Sequence, residues 1–379
     1  MRRLLPLLCG LLLAACGQRA ARPIGDFTLP VYTPRYASGF EITGAAGSRS
    51  TLVTVHNPWY GDEVTDQYLF IARDGEPAPA GFEGQVLRDE ARRVVCMSGS
   101  YIAMLDALGA ANRVVGVSGA QYLINETLRR RIARGEAADV GFDSNVDFER
   151  LMALRPDLVM LFGIGGADTA LTGKLRELGI PYLYMGEHCE ESPLGKSEWV
   201  VVAAEIAGLR TEGSRLFAAI PERYERLRAL AQQTAARPRV MLNTPYRDTW
   251  FMPARNSYMV RLLEDAGARY VFEENTATQT LPIDIEQAYY LTSKSDFWLN
   301  VSGCNTLDEV RRQNPRLADT PPVREGRVYD NNRRRNAAGG SDFWESGVLR
   351  PDRVLADLVH IFHPELSETD ELYYYRQLE

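Results

Sequence analysis

The sequence predicts an α/β protein in which two lobes are joined by one long helical segment. Three observations carry this prediction. Apolar, strand-like runs alternate with helical patterns from about residue 92 to residue 185, residues 192–236 have helical periodicity without a strand, and the alternation resumes at residue 239. Strands that alternate with helices at such spacings form parallel sheets covered by helices on both faces.

The front of the chain predicts export. Two arginines precede an apolar stretch from Leu4 to Leu13, which is too short to cross a bilayer and is typical of a secretory signal peptide. The run Leu13-Ala-Ala-Cys16 resembles the cleavage site of bacterial lipoproteins, whose cysteine receives a diacylglycerol. We expect residues 1–15 to be a signal peptide and Cys16 to be lipidated, which places the protein in the periplasm on a membrane anchor. An ordinary signal peptide with a chance cysteine is the alternative.

Two segments are expected between the anchor and the lobes. Residues 16–39 are rich in proline, glycine and arginine and are expected to form a tether. Residues 40–90 alternate polar and apolar side chains, as in Thr51–Val55, and turn-forming pairs such as Asp74-Gly75 separate the runs. This pattern predicts a small β-rich segment with hairpins.

The lobes follow. The N-terminal lobe is predicted over residues 91–191, the linking helical segment over 192–237, and the C-terminal lobe over 238–379, with a last helix from about Pro351 to Phe362. A cleft between two lobes is a favoured place for a ligand, and the loops after the carboxyl ends of the strands should line it.

The composition excludes several classes of protein. The 379 residues include 43 basic and 50 acidic side chains, and a net charge of −7 is unlike the concentrated basic face of a nucleic-acid binder. A mean hydropathy of −0.25 excludes a protein with many membrane spans. Beyond Cys9 and Cys16 only three isolated cysteines remain, which do not form a disulfide framework.

One phrase occurs in both lobes. It reads Asn145-Val-Asp-Phe-Glu-Arg-Leu-Met in the first and Leu281-Pro-Ile-Asp-Ile-Glu-Gln-Ala in the second. Each copy has an aspartate, a glutamate two positions later, an apolar helix and an aspartate that opens a strand. Together with runs such as Arg93–Tyr101, it resembles the binding proteins that serve ABC importers of ferric siderophores, haem and cobalamin. The resemblance covers about residues 91–363 and implies two Rossmann-like lobes joined by a long rigid helix.

The resemblance also implies a partner. In that family one glutamate on each lobe docks onto arginines of the membrane permease, and the matching positions are Glu149 and Glu286. Two charge-assisted pairs that lie far apart would fix the orientation of a broad and otherwise weak interface. The alternative is that both glutamates only favour the dipole at the first turn of a helix.

Two candidate ligand contacts lie in the N-terminal lobe. Tyr101, in Ser98-Gly-Ser-Tyr101, could stack on a planar ligand, or the run is a glycine turn that caps the next helix. His188 lies in Glu187-His-Cys-Glu-Glu191, whose donors suit a transition metal. Because consecutive residues cannot all reach one ion, we expect no dedicated metal site there. A contact from His188 to a bound ligand and a plain polar linker both remain open.

The C-terminal lobe supplies the other candidates. Tyr246, Arg247 and Trp250 follow its first strand, and an indole with a guanidinium suits a planar, anionic ligand. Arg333 opens the densest basic run of the chain, and guanidinium donors match carboxylate, catecholate or phosphate oxygens. A solvated loop is the alternative for this run.

No nucleophile with a base and no catalytic motif is visible, so we expect neither an enzyme nor a resident cofactor. The sequence indicates a monomeric lipoprotein that captures an iron–siderophore, or a related metal chelate such as haem or cobalamin, between its lobes. It would deliver this chelate to an ABC permease and its ATPase subunit. The rivals are a free haem or corrinoid carrier without a permease, and an exported enzyme that acts on a metal chelate.

Overall fold

The prediction of an α/β fold with parallel sheets is confirmed. The structure is a computed structural model that describes residues 21–61, 64–163, 166, 169–246, 249–367 and 371–379. The predicted signal peptide and the predicted lipid site at Cys16 lie outside these residues. None of the helices in the described ranges has the length and apolar character needed to cross a membrane.

A five-stranded sheet precedes the lobes, and its neighbouring strands are antiparallel except for the last two. Its strands are Leu29–Tyr32 (β1), Phe40–Gly44 (β2), Thr51–His56 (β3), Asp66–Ala72 (β4) and Gln85–Arg88 (β5). One face presents residues such as Val53 and Leu69 to the main core, and Leu52 and Phe70 on the other face join a small separate cluster. We call residues 29–88 the extension. Its strand β1 lies inside the stretch that we expected to be a tether.

The N-terminal lobe is built on a parallel sheet with the strand order β10-β9-β6-β7-β8. Apart from Phe162 and the two residues of the edge strand, its side chains are buried on both faces, as is usual for parallel sheets covered by helices. The strands are Val94–Cys96 (β6), Val114–Val117 (β7), Ala138–Asp139 (β8), Leu158–Phe162 (β9) and Tyr182–Met185 (β10). The helices are Gly99–Ala107 (α1), Glu126–Ala133 (α2), Phe148–Ala153 (α3) and Ala170–Glu177 (α4).

The linker between the lobes consists of three successive helices rather than a single one. They are Pro193–Glu198 (α5), Val200–Ile206 (α6) and Arg210–Ala231 (α7). Every residue of α6 is buried. The chain breaks after α6 because Gly208 adopts a φ of +66°, a conformation that ends helices and that glycine takes without steric cost.

The C-terminal lobe has a second sheet with the strand order β14-β11-β16-β17-β18, parallel except for β18, and a small antiparallel sheet β12-β13-β15. The strands are Arg239–Leu242 (β11), Pro245–Tyr246 (β12), Thr249–Met252 (β13), Arg269–Tyr270 (β14), Leu281–Ile283 (β15), Phe297–Leu299 (β16), Val328–Asp330 (β17) and Arg376–Gln377 (β18). The helices are Tyr258–Asp265 (α8), Ile285–Ser293 (α9), Leu307–Gln313 (α10), Pro321–Arg324 (α11), Ser346–Leu349 (α12) and Pro351–Phe362 (α13).

Three buried glutamates attach the extension to the linker, and we call Glu190, Glu198 and Glu205 the glutamate row. Glu190 accepts hydrogen bonds from the backbone N–H groups of Ser38 and Gly39. Glu205 forms an ion pair with Arg73, the residue after β4, at 2.8 Å, and it accepts a hydrogen bond from the Thr51 hydroxyl at 2.6 Å. The extension is therefore hydrogen-bonded to the segment that joins the lobes.

Glu198 holds the segment between β1 and β2. Its carboxylate is fully buried. It accepts hydrogen bonds from the Tyr32 hydroxyl at 2.7 Å and from the backbone N–H groups of Arg35, Tyr36 and Ala37 at 2.8, 2.7 and 2.7 Å. Such charge-assisted bonds compensate the cost of burying a carboxylate.

Candidate functional site

The carboxyl ends of the strands of both lobes meet along one seam, which we call the interlobe seam. At one end, the Asn336 side chain donates hydrogen bonds to the carbonyls of Gln121 and Leu123 at 2.9 and 3.1 Å. A Cβ atom on Gly340 would overlap the Tyr122 carbonyl. The segment after β17 thus lies directly on the loop after β7, with no room for a side chain between them.

Glu345 adds a second link at this end. Its carboxylate accepts hydrogen bonds from the backbone N–H groups of Ile124 at 2.6 Å and Asn125 at 2.9 Å. Burial raises the pKa of Glu345 to about 7, although these two N–H groups oppose the shift. At this end of the seam, the two lobes are therefore linked by a carboxyl group whose pKa lies near neutral pH.

The other end of the seam is formed by the linker. The Asn256 side chain donates a hydrogen bond to Glu191, and the Lys196 ammonium lies 4.5 Å from the centre of the Tyr258 ring. A cavity of about 20 Å³ lies between Lys196, Tyr258 and Phe343, which is room for about one water molecule. The lobes are closely packed below the seam.

A buried polar cluster lies under the N-terminal side of the seam. Glu187 follows β10 and accepts a hydrogen bond from the Ser100 hydroxyl at 3.0 Å. Lys196 donates to the Glu187 backbone carbonyl at 3.1 Å. Burial raises the pKa of Glu187 to about 7, while Lys196 and Ser100 lower it. This cluster connects the end of the first strand, the end of the last strand and the linker.

Tyr101 does not form the stacking surface that the sequence suggested. Its ring is fully buried, and its hydroxyl donates to the Leu161 carbonyl at 3.2 Å. Ser98 caps the following helix by accepting a bond from the Ser100 backbone N–H at 3.4 Å. The capping interpretation accounts for this run, because the helix turns Tyr101 into the core of the lobe.

His188 lies at the seam as an uncharged imidazole. Its Nε2 is 2.9 Å from the Gly163 carbonyl oxygen, and its ring centre is 4.3 Å from that of Phe162. Burial lowers the pKa of His188 to about 4, and the charge of Lys196 adds to the shift. Within the described residues, no group of three or more His, Cys, Asp or Glu side chains is arranged to hold a metal ion.

The two aromatic residues predicted to contact a ligand in the C-terminal lobe, Trp250 and Tyr246, have different environments. Trp250 is 1% exposed, stacks on Trp298 at 5.6 Å and donates to the Leu242 carbonyl at 2.9 Å. It is a core residue, because the antiparallel register of β13 turns it toward the main sheet, and this corrects our expectation of a ligand contact. Tyr246, in contrast, is 66% exposed. Arg247 lies outside the described residues.

Arg333 is paired within its own lobe. Its guanidinium pairs with Glu371 near the end of the chain at 3.1 Å, and its backbone N–H donates to the Tyr374 carbonyl. The neighbouring Arg334 pairs with Asp342 at 2.6 Å. Arg333 and Arg334 thus hold the segment near residue 371 and their own loop. Among the described residues, Asn336 makes the side-chain hydrogen bonds from that loop to the other lobe.

Glu149 and Glu286 occupy equivalent positions on the two lobes. Each is exposed and is the second residue of its helix, α3 or α9. Asp147 and Asp284 cap these helices by accepting a backbone N–H bond at 2.9 and 2.8 Å. Neither glutamate has an ion pair or a hydrogen bond with another side chain in the described part of the chain. Both carboxylates are therefore available to a partner.

Three exposed aromatic residues near the seam were not predicted from the sequence as ligand contacts. Tyr122, Phe142 and Trp344 are 44%, 43% and 54% exposed. Tyr122 and Phe142 lie in the loops that follow β7 and β8, and Trp344 precedes the interlobe residue Glu345. Tyr122 follows the predicted strand at 113–117, so examining the loop after that strand would have found it. Phe142 follows the two-residue strand β8, which the sequence did not predict, and Trp344 lies far from its strand.

A hollow of about 610 Å³ lies elsewhere, between the extension and the edge of the N-terminal lobe. Its lining includes Tyr68, Phe82, Arg176 and Tyr182. Tyr182 opens β10, so the hollow lies near the amino end of that strand, away from the carboxyl ends that meet at the seam. We do not assign the ligand to it.

Comparisons with known proteins agree with this geometry. Residues 94–333 match a protein-family model described as "Periplasmic binding protein". An uncharacterized lipoprotein of Methanocaldococcus jannaschii is 25% identical over 82% of this chain and 77% of its own length. A second uncharacterized lipoprotein of the same organism is 22% identical over 83% of this chain and 81% of its own length.

Solved structures share the fold. A periplasmic haem-binding protein from Pseudomonas aeruginosa is 20% identical, with a TM-score of 0.58 over 76% of this chain and 98% of its own. A protein of an Fe³⁺-hydroxamate transport system from Saccharomonospora viridis is 17% identical, with a TM-score of 0.54 over 72% and 94%. The periplasmic vitamin B12 binding protein of Vibrio cholerae is 14% identical, with a TM-score of 0.52 over 72% and 96%.

Proposed function

The chain belongs to the periplasmic binding protein family, and from that premise we propose that it is the substrate-binding lipoprotein of an ABC importer. The observation that carries the proposal is the matched pair Glu149 and Glu286. Each lobe presents one exposed carboxylate, unpaired within the described residues, at the same position of an aspartate-capped helix. Two such charges on separate lobes suit a partner with two matching cations, such as a membrane permease.

For the cargo we propose a metal chelate of the siderophore, haem or cobalamin type, held at the interlobe seam. Exposed aromatic rings and an uncharged imidazole near the seam suit a large ligand with apolar or conjugated faces. Of the predicted contacts, His188 and Tyr246 remain in this proposal together with Arg247. Tyr101 and Trp250 leave it because they are buried. Arg333 stays in it, because its exposed ion pair with Glu371 is of a kind that contributes little free energy and can be exchanged for a ligand.

The proposal is tested by separating docking from binding. We expect Glu149→Ala with Glu286→Ala to abolish uptake of the chelate, while the affinity of the purified protein for it stays within about twofold. The matched control replaces Glu126 and Asp308, which are also exposed first-turn carboxylates on the two lobes, by alanine and should leave uptake intact.

Two outcomes would count against the proposal. If the double variant loses affinity for the chelate but still docks onto the permease, the two glutamates are not docking residues. Unchanged uptake in the double variant would favour a free haem or corrinoid carrier that needs no permease.

The membrane anchor is a separate part of the proposal. We expect Cys16→Ala to move the protein from the membrane fraction to the soluble fraction, because a lipid chain supplies the membrane affinity. Fractionation with immunodetection measures this. Retention of the variant in the membrane would contradict lipidation at Cys16.

A further inference from the structure

The extension lies outside the residues 94–333 that match the family model, yet it reaches the interlobe seam. Its loop between β3 and β4 lies on the carboxyl ends of β9 and β10. Pro58 contacts both Gly163 and Gly186, where an added Cβ would meet the Pro58 backbone. Trp59 packs edge-on against Tyr184 with ring centres 5.3 Å apart. These contacts place the next residue, Tyr60, at the seam.

Tyr60 adds a hydrogen bond to this packing of Pro58 and Trp59. The phenol donates a hydrogen bond to the His188 backbone carbonyl at 2.7 Å, and its ring centre lies 5.9 Å from the His188 ring, at 80° to it. The residue is nevertheless 67% exposed. An aromatic ring whose hydroxyl is fixed and whose face is open is suited to contact a ligand.

The position of Tyr60 is also close to the opposite lobe. Burial raises the pKa of Tyr258, at the start of α8, and the nearby Tyr60 phenol raises it further. Burial raises the pKa of Tyr60 to about 12, and the neighbouring Cys189 and Glu191 raise it further. Glu191 also accepts the interlobe hydrogen bond from Asn256. Tyr60 thus lies beside the contact that joins the two lobes at the linker end of the seam.

We infer that the extension supplies one wall of the ligand site and that the Tyr60 ring contacts the bound ligand. This inference rests on the proposed function, and it names a contact that the family-matched part of the chain does not contain. The wall combines the aromatic ring of Tyr60 with the uncharged His188 and with Phe162. The charged groups nearby are of both signs, Glu191 and the buried Lys196. We therefore expect the aromatic wall itself to take an uncharged planar or apolar face of the chelate.

The test is a set of titrations with haemin, a ferric trihydroxamate and cyanocobalamin, followed by quenching of intrinsic fluorescence and by calorimetry. For whichever probe binds the wild-type protein, we expect Tyr60→Ala to weaken binding about ten- to fiftyfold, the effect of losing one aromatic contact and its buried area. Tyr60→Phe keeps the ring and should stay within about threefold. Tyr68→Ala, at an exposed tyrosine of β4 in the same extension, is the control and should bind like the wild type.

The outcomes separate the two proposals. If the wild type binds a probe and Tyr60→Ala binds it equally well, the inference about the extension is overturned and the proposed function stands. If Tyr60→Phe loses as much affinity as Tyr60→Ala, the hydroxyl acts by positioning the loop, and the ring contact is refuted. If the wild type binds none of the probes, the proposed function fails and this inference fails with it.

Discussion

Replacement of Glu198 by alanine should detach the start of the extension from the linker. The fully buried carboxylate accepts four hydrogen bonds, from the Tyr32 hydroxyl and from the backbone N–H groups of Arg35, Tyr36 and Ala37. Removing the carboxylate leaves these donors without their acceptor in a partly buried segment. The segment can recover their hydrogen bonds only by moving out into water.

The expected cost follows from these bonds. A hydrogen bond to a charged group contributes roughly 1.5–3 kcal/mol, and the bonds are not additive because they share one acceptor group. A buried donor that loses its acceptor costs about 1–3 kcal/mol. We expect Glu198→Ala to lower the free energy of unfolding by about 4 kcal/mol and Glu198→Gln by about 2 kcal/mol, since the amide keeps one oxygen but turns the other acceptor into a donor.

Urea unfolding followed by tryptophan fluorescence measures this free energy, and limited proteolysis shows whether residues 29–39 become accessible. Glu222→Ala, at an exposed glutamate of α7, controls for loss of a charge on the linker. The reasoning is refuted if Glu198→Ala and Glu222→Ala differ by less than about 1 kcal/mol and residues 29–39 stay protected.

Three further predictions concern the seam and the core. The folded Glu345 carboxyl, with a pKa of about 7 instead of 4.5, keeps a proton between these pH values that the unfolded chain has lost, so its contribution to stability falls as pH rises through this window. Urea unfolding at pH 4.5 and 8 should show a flatter pH dependence for Glu345→Gln, by up to about 3 kcal/mol. Trp250→Ala should cost about 3–5 kcal/mol of stability, whereas Trp250→Phe should bind ligand like the wild type. Gly340→Ala should separate the lobes locally, because its Cβ overlaps the Tyr122 carbonyl, and spin labels on the two lobes should report a longer distance.

Each of these predictions has its own contrary result. Equal pH slopes for wild type and Glu345→Gln would contradict the assigned titration. If Trp250→Phe loses ligand affinity but keeps its stability, Trp250 is a ligand contact after all. Gly173→Ala is the control for Gly340→Ala, because a Cβ at Gly173 meets nothing within 4 Å, and an unchanged interlobe distance in Gly340→Ala would show that the loop alone absorbs the clash.

The alternation of strands and helices was readable because buried parallel strands are continuous apolar runs, as in Leu158–Phe162 and Tyr182–Met185. Strand β1 was not readable. Its residues are exposed or partly exposed, so no apolar pattern marks them, and pairing with β2 defines the strand. The break of the linker at Gly208 carried a local signal, since glycine is the usual residue for a positive φ.

The site was harder to predict than the fold. Tyr101 and Trp250 follow predicted strands just as Tyr246 does, and the sequence alone does not show which way a side chain turns after the strand ends. Tyr60 could not be found by this rule at all, because it belongs to a loop of the extension and reaches the seam only through tertiary packing on Gly163 and Gly186. Long-range packing of this kind leaves no periodic pattern in the sequence.

The attachment of the extension to the linker has a consequence for the reach of the protein. About thirteen residue steps separate Cys16 from the start of β1, and an extended chain spans at most about 3.5 Å per step, or about 45 Å in all. The glutamate row attaches the extension to the linker between the lobes. A lipid on Cys16 would therefore keep the start of β1 within this distance of the membrane surface, and would keep the whole protein close to the membrane. A permease served by this protein would then have to lie in the same membrane as the anchor.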